Sequence, residues 1–389
     1  MKKLAALLLL LIFCTACAYA EDKNGTDGIM REYARLYGEK ISEGIDAACG
    51  EEYLSELVPS FNVEEILSGL ARGENIFSIR EICGRGIGLL TGEVRSTLKI
   101  MAFILALSVL STYLVNMQSG FAEGASQAAF FACYSVIAGI AAAAFFEVVK
   151  CGQNAVENIS VFMRMIVPVV LVSLASGGAV ISATAFEAVL VGVIEITEWV
   201  IEKAFVPMLM MSAAVNIVNN LSDKINAGKL VQLLNKAVKW GLGIMLTLFV
   251  GVTGLQSIAS CGADGLTVKV TKFAASNLIP VVGGILSESV ETVMNCSIVI
   301  KNSVGILGVV VVALIAVIPL AKVAACLIMF RMCAAVIQPI ADKKIVKCIS
   351  ELADSVSCVF SMTVAITVMF IIILTIMINV GNSAVMLGR

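Results

Sequence analysis

The stretch 356–380 sets twenty-five residues in a row without one charged side chain. As a helix it rises about 37 Å, enough to cross the roughly 30 Å hydrocarbon core of a bilayer with some tilt. Comparable apolar runs recur at 98–115, 128–149, 159–175, 180–201, 204–217, 240–258 and 303–340. A soluble fold needs a charged surface, and about a quarter of its residues normally carry charge. Here 14% are charged, 59% are apolar and the mean hydropathy is +0.97, so the excess apolar surface must face lipid. The expected fold is an all-α polytopic membrane protein. It should have seven or eight transmembrane helices and a small N-terminal extracytoplasmic helical segment.

The N-terminus reads as an export signal. Met1-Lys2-Lys3 is a positive n-region, 4–13 is an apolar h-region too short to span, and Ala18-Tyr19-Ala20 is a cleavage site. Residues 1–20 are therefore expected to be removed. The following segment, 21–95, is acidic: over 21–92 seven basic residues stand against fourteen acidic ones, a net of 7 − 14 = −7. Asn62-Val63-Glu64-Glu65 has the form of a helix N-cap with Glu at the third position. Val63, Ile66, Leu67 and Leu70 then give one apolar face. Both a small helical cap and a partner-docking surface fit this segment.

A cleaved signal leaves residue 21 outside. The membrane domain 96–258 holds six expected spans, and its segment 219–239 carries Lys224, Lys229, Lys236 and Lys239 against Asp223 alone. Five spans after residue 21 this basic segment falls in the cytoplasm, where the charge rule wants it. Residues 259–302 read as an amphipathic or re-entrant region, interrupted by Lys269, Lys272, Glu288, Glu291 and Lys301 and divided at Asn277, Pro280 and Gly283. Residues 303–389 are C-terminal membrane helices. If 303–340 is one span, Lys343, Lys344 and Lys347 are cytoplasmic; if it is a tight pair, they are outside.

Several function classes are excluded or unsupported. The chain has no histidine, which removes Ser-His-Asp and Cys-His catalysis and every histidine-containing metal site. It has no GxxxxGK[ST] phosphate loop, so it needs a partner to use ATP. With a net charge of −2, no basic excess points to nucleic acid. Of twelve cysteines, Cys14 and Cys17 lie in the signal and the other ten form no CxxC pair. Cys133, Cys326, Cys333 and Cys358 read as small packing residues, while Cys49 and Cys83 could pair in the exported segment. No enzyme activity and no cofactor is expected.

What remains are charges and breaks inside the spans. Arg164, Glu187, Glu195, Glu198 and Arg331 each cost about 2.5–3.5 kcal/mol at a helix centre. They must face protein or a wet cavity, or lie near helix ends and reach the headgroups. Five of six prolines follow residue 160, and Ser176-Gly177-Gly178 breaks the helix that holds Pro168. Such breaks occur around transport sites and equally as packing kinks. A stand-alone permease for a small solute or ion, built on Arg164 and the 187–198 glutamates, is one functional reading.

A second reading comes from the stretch 262–309. It contains GADGLTVKVTKFAASNLIPVVGGILSESVETV and then IVIKNSVGILGVV. With Ser176-Gly177-Gly178 after Pro168, and Gln338-Pro339 later, this resembles the stage III sporulation protein AE family. The matching residues are Lys272, Phe273, Asn277, Pro280, Gly283, Lys301, Asn302, Gly305 and Gly308. The chain departs from the family's pattern in having Glu288 and Glu291 where Asp is usual, which keeps the charge. The resemblance implies a role in endospore formation, as a core subunit of a secretion-like complex in the mother-cell membrane around the forespore. It also implies partners: a secretion-type ATPase, ring-forming subunits and other stage III sporulation membrane proteins, besides membrane lipid. It assigns no catalytic residue. Lys224, Lys229, Lys236 and Lys239 would then be the place for the ATPase to dock, and 21–92 the place for ring proteins.

Overall fold

The structure, a computed structural model, describes residues 27–50, 62–72, 79–116, 123–221, 227–278 and 283–388. The expected signal 1–20 lies outside the described residues. The elements are α1 (Asp27–Ala48), α2 (Val63–Ala71), α3 (Ile79–Asn116), α4 (Glu123–Ser176), α5 (Val180–Val200), a π-helical turn (Ile201–Phe205), α6 (Val206–Leu221), α7 (Gly228–Leu278), α8 (Gly283–Ile337) and α9 (Lys343–Gly388). No strand occurs among the described residues.

Six segments are long and apolar enough to cross a membrane: Gly84–Leu114, Ala128–Ser176, Val180–Leu221, Gly228–Thr267, Ser297–Ile337 and Lys343–Val380. The all-α membrane class holds, but six replaces the expected seven or eight. The difference arises at two polar interruptions. Around Lys150 and Glu157 the sequence suggests a loop, yet α4 stays helical because Ala155, Val156 and Ile159 on its inner face are buried. Around Glu202 and Lys203 the charges are exposed while Ile201 and Phe205 are buried. There α5 passes into α6 through the π turn, whose Val206 N–H donates to the Ile201 carbonyl. Pro207 follows with no N–H to give, so the wider turn absorbs a missing helical bond.

Helices α8 and α9 form the central hairpin, with α4 and α7 packed against it. Helix α3 lies against α4 and α8, and α7 flanks the other side with α5 and α6. Close approaches are made at glycines. A Cβ on Gly152 would stand 2.7 Å from Val359 Cγ1, and one on Gly241 would stand 2.8 Å from the Phe205 ring. Small residues at such crossings let membrane helices gain packing where no hydrophobic force drives them together. The 54 residues of α4 rise about 80 Å, so the bundle is much taller than the hydrocarbon core.

Outside this bundle, α1 buries Ile41 and Ile45 against α4, where Gly44 meets Met165. Helix α2 buries Val63, Ile66 and Leu67. Asn62 caps it as its sequence implies: Oδ1 accepts the Glu64 and Glu65 N–H groups at 3.0 and 3.3 Å. Cys49, just after α1, is a free thiol, and the Cys83 side chain lies outside the described set.

Candidate functional site

Helix ends meet at two opposite poles. At one pole Lys229, Lys343, Lys344 and Lys347 surround the ends of α6, α7 and α9. The basic segment 219–239 is mostly helical, since only 222–227 separates α6 from α7. This hairpin is fixed by a buried polar network. Asn216 Nδ2 donates to the Cys348 carbonyl at 3.1 Å, and Asn220 Nδ2 donates to Asn216 Oδ1 and Glu351 Oε2 at 2.6 and 3.1 Å. Further along, Ser212 Oγ donates to Asn235 Oδ1 at 2.9 Å, and Asn235 Nδ2 to Ser355 Oγ at 3.2 Å. The Tyr134 hydroxyl donates to the Ile217 carbonyl at 2.8 Å and ties in α4. Asn219 Oδ1 accepts the Ala227 N–H at 2.6 Å and closes the hairpin. A buried network stabilises a unique arrangement only when its members are satisfied, and none of these side chains is left without a partner. The hairpin thus holds Lys229, Lys236 and Lys239 exposed on a rigid support; Lys224 lies outside the described residues.

Midway along the bundle, Arg164 of α4 meets α5. Its Nε donates to Glu195 Oε1 at 3.1 Å, and its Nη2 pairs with Glu198. The side chains are 40%, 61% and 30% exposed, so the triad faces outward and does not line a closed path. Glu187 is also exposed and takes no part in it. Pro168, one turn from Arg164, cannot donate to the Arg164 carbonyl, yet α4 continues to Ser176. Arg331 pairs with Asp354 at 2.6 Å between α8 and α9, both half-exposed.

At the far pole, the break at Ser176, Gly177 and Gly178 is a helix-ending motif. The Ala179 N–H donates to the Leu174 carbonyl and the Gly178 N–H to Ala175, with Gly178 at φ +90°. That left-handed φ is why glycine sits there. Helix α5 begins at once, and Ala179 at its N-cap has no side-chain oxygen. Asp264 of α7 takes over: Oδ1 accepts the Ile181 N–H at 2.9 Å and Oδ2 the Ser182 N–H at 3.1 Å. Asp264 is fully buried, and two N–H donors plus the positive end of α5 offset its charge.

Nearby, α8 is tied to the end of α9. Lys301 Nζ donates to the Ile378 carbonyl at 2.5 Å and to Asn382 Oδ1 at 3.2 Å, and Asn302 Nδ2 donates to the same Asn382 oxygen at 3.2 Å. Gly305 permits this approach, because a Cβ there would run into the Ile378 side chain. Gly308 faces Ile166 and Leu374. Lys272, Phe273 and Asn277 fall in the last turns of α7 with side chains outside the described set, Gly283 opens α8, and Pro280 lies outside the described residues. The family motif thus brings together Lys301, Asn302 and Gly305. Asp264, Asn382 and the Asn216–Asn220–Asn235 network do not stand out in the sequence. Their one signal is amide or carboxylate side chains at helical spacing within apolar runs.

Long apolar helices tied by buried amides and a few charges define an all-helical, multi-pass membrane protein. The family model for stage III sporulation protein AE matches residues 61–381. The stage III sporulation protein AE of Bacillus subtilis (strain 168) is 28% identical over 316 residues, covering 81% of this chain and 79% of that protein. No solved structure matches. The chain belongs to the stage III sporulation protein AE family.

Proposed function

We propose that this chain is the integral-membrane core of a secretion-like channel complex between mother cell and forespore, seated in the mother-cell membrane and required for endospore development. The observation that carries the reading is the braced α6–α7 hairpin with its exposed lysines, in a chain that has no nucleotide loop of its own. A transport subunit of this kind needs an ATPase, and a rigid cationic hairpin suits an acidic docking face. The charge rule assigns the lysine-rich pole to the cytoplasm. Lys343, Lys344 and Lys347 then lie beside the hairpin on that side, and α1, packed on α4 at Met165 with α2 beside it, is available to ring-forming subunits. The outward-facing Arg164 triad gives the permease reading no interior path.

The test is charge reversal of Lys224, Lys229, Lys236 and Lys239 to Glu, followed by gentle solubilisation of sporulating cells and identification of co-purifying proteins. Loss of a secretion-type ATPase, with the variant still inserted and folded, is the expected result. Unchanged recovery of the ATPase removes the docking assignment.

A further inference from the structure

The surroundings of Lys301 are unusual for a lysine. It is 1% exposed, and its described partners are two neutral oxygens, the Ile378 carbonyl and Asn382 Oδ1, with no ion pair to a carboxylate among the described residues. The fully buried Asn302 shares Asn382 Oδ1 through its Nδ2, which sets its amide beside the ammonium, and its own Oδ1 has no donor among the described residues. The Ile378 carbonyl lies within α9, about three turns before its end at Gly388. Backbone carbonyl and amide oxygens in a water-poor bundle are the ligands that take dehydrated monovalent cations in membrane proteins. An intramembrane ionisable group held this way calls for a specific role.

The neighbouring charges do not change this picture. Asp264 spends both oxygens on the α5 N-terminus, and Cys261 Sγ donates to the Val380 carbonyl at 3.6 Å. Neither is hydrogen-bonded to Lys301, although Cys261 lies close enough to interact with it electrostatically.

We infer that the Ile378 carbonyl and Asn382 Oδ1 form a monovalent-cation site joining α8 to α9, and that the Lys301 ammonium is its built-in occupant. Lys301 does here what a bound sodium, potassium or ammonium ion would do: it supplies one positive charge to these two oxygens. Removing the side chain leaves both the oxygens and the space for a small cation.

The experiment uses the full chain in detergent and reads thermal unfolding in sodium, potassium and ethylammonium chloride against choline chloride at equal ionic strength. Wild type should unfold at one temperature in all four salts. Lys301→Ala should unfold lower in choline and recover with at least one of the small cations, the gain growing with the logarithm of its concentration as for any ligand of the folded state. Lys301→Met, which fills the space without charge, should not respond. A Lys301→Ala midpoint indifferent to cation, or a wild type that responds equally, overturns the proposal. Should Lys301→Ala not fold, Asn382→Asp decides: a carboxylate accepting from the resident ammonium and from Asn302 Nδ2 should raise the unfolding temperature, and no change or a fall overturns the site.

Discussion

Ile181 and Ser182 present backbone donors at the start of α5, and Ala179 ahead of them has no side-chain oxygen to cap them. Their acceptor is Asp264, some eighty residues later in the chain. Asp264→Ala should cost about 1–3 kcal/mol, because two buried donors lose their partner. Asp264→Asn, which keeps one acceptor oxygen, should cost less; thermal unfolding of the purified variants checks both. Cys49 gives a pH prediction outside the membrane segments. Burial, and then the Asp46 carboxylate, push its thiol from 9.0 up to about 11. The folded chain therefore holds this proton more tightly than the unfolded one. That contribution to stability is complete below about pH 9 and is lost as pH rises through about 11. Alkylation of Cys49 by iodoacetamide should be slow at pH 8 and rise with an inflection near 11, not near 9.

Between α4 and α9 the helix axes approach at Gly152, where an added Cβ would lie 2.7 Å from Val359 Cγ1. Gly152→Ala should destabilise by about 1–3 kcal/mol through overpacking. Val359→Ala in the same chain should recover part of the loss, because it removes the clashing methyl groups. A thermal double-mutant cycle measures this coupling. Such crossing points were not legible in the sequence: Gly152 sits in the polar stretch that reads as a loop between two spans. The same stretch shows why the span count differed. Lys150 and Glu157 were visible as charges, but the burial of Ala155, Val156 and Ile159, which keeps the helix intact, depends on α9 and its neighbours. By contrast the helix after Asn62 was legible, since its cap and apolar spacing are both local.

At the scale of the whole molecule, six spans change which side one turn occupies. With residue 21 outside, continuous α3 and α4 return the chain to the outer side at Ser176, whereas dividing α4 into two spans places Ser176 inside. Ser176 is exposed. A Ser176→Cys variant in intact cells should therefore react with a membrane-impermeant maleimide added outside. Labelling only after the cells are opened would favour the divided helix. The lysine-rich pole is unaffected by this choice, because three spans and five spans both leave 219–239 on the cytoplasmic side.

The membrane class, the helical content, the capped helix after Asn62 and the family were legible from the sequence, because each rests on composition, local spacing or a contiguous motif. Tertiary structure alone decided how many crossings those helices make, how the basic hairpin is braced and what Lys301 touches. The reason is physical. Whether a polar stretch breaks a helix, and whether a buried cation finds oxygen ligands, depends on which surfaces of distant helices lie against it. Ile378 and Asn382 become partners of Lys301 only when α9 folds back along α8.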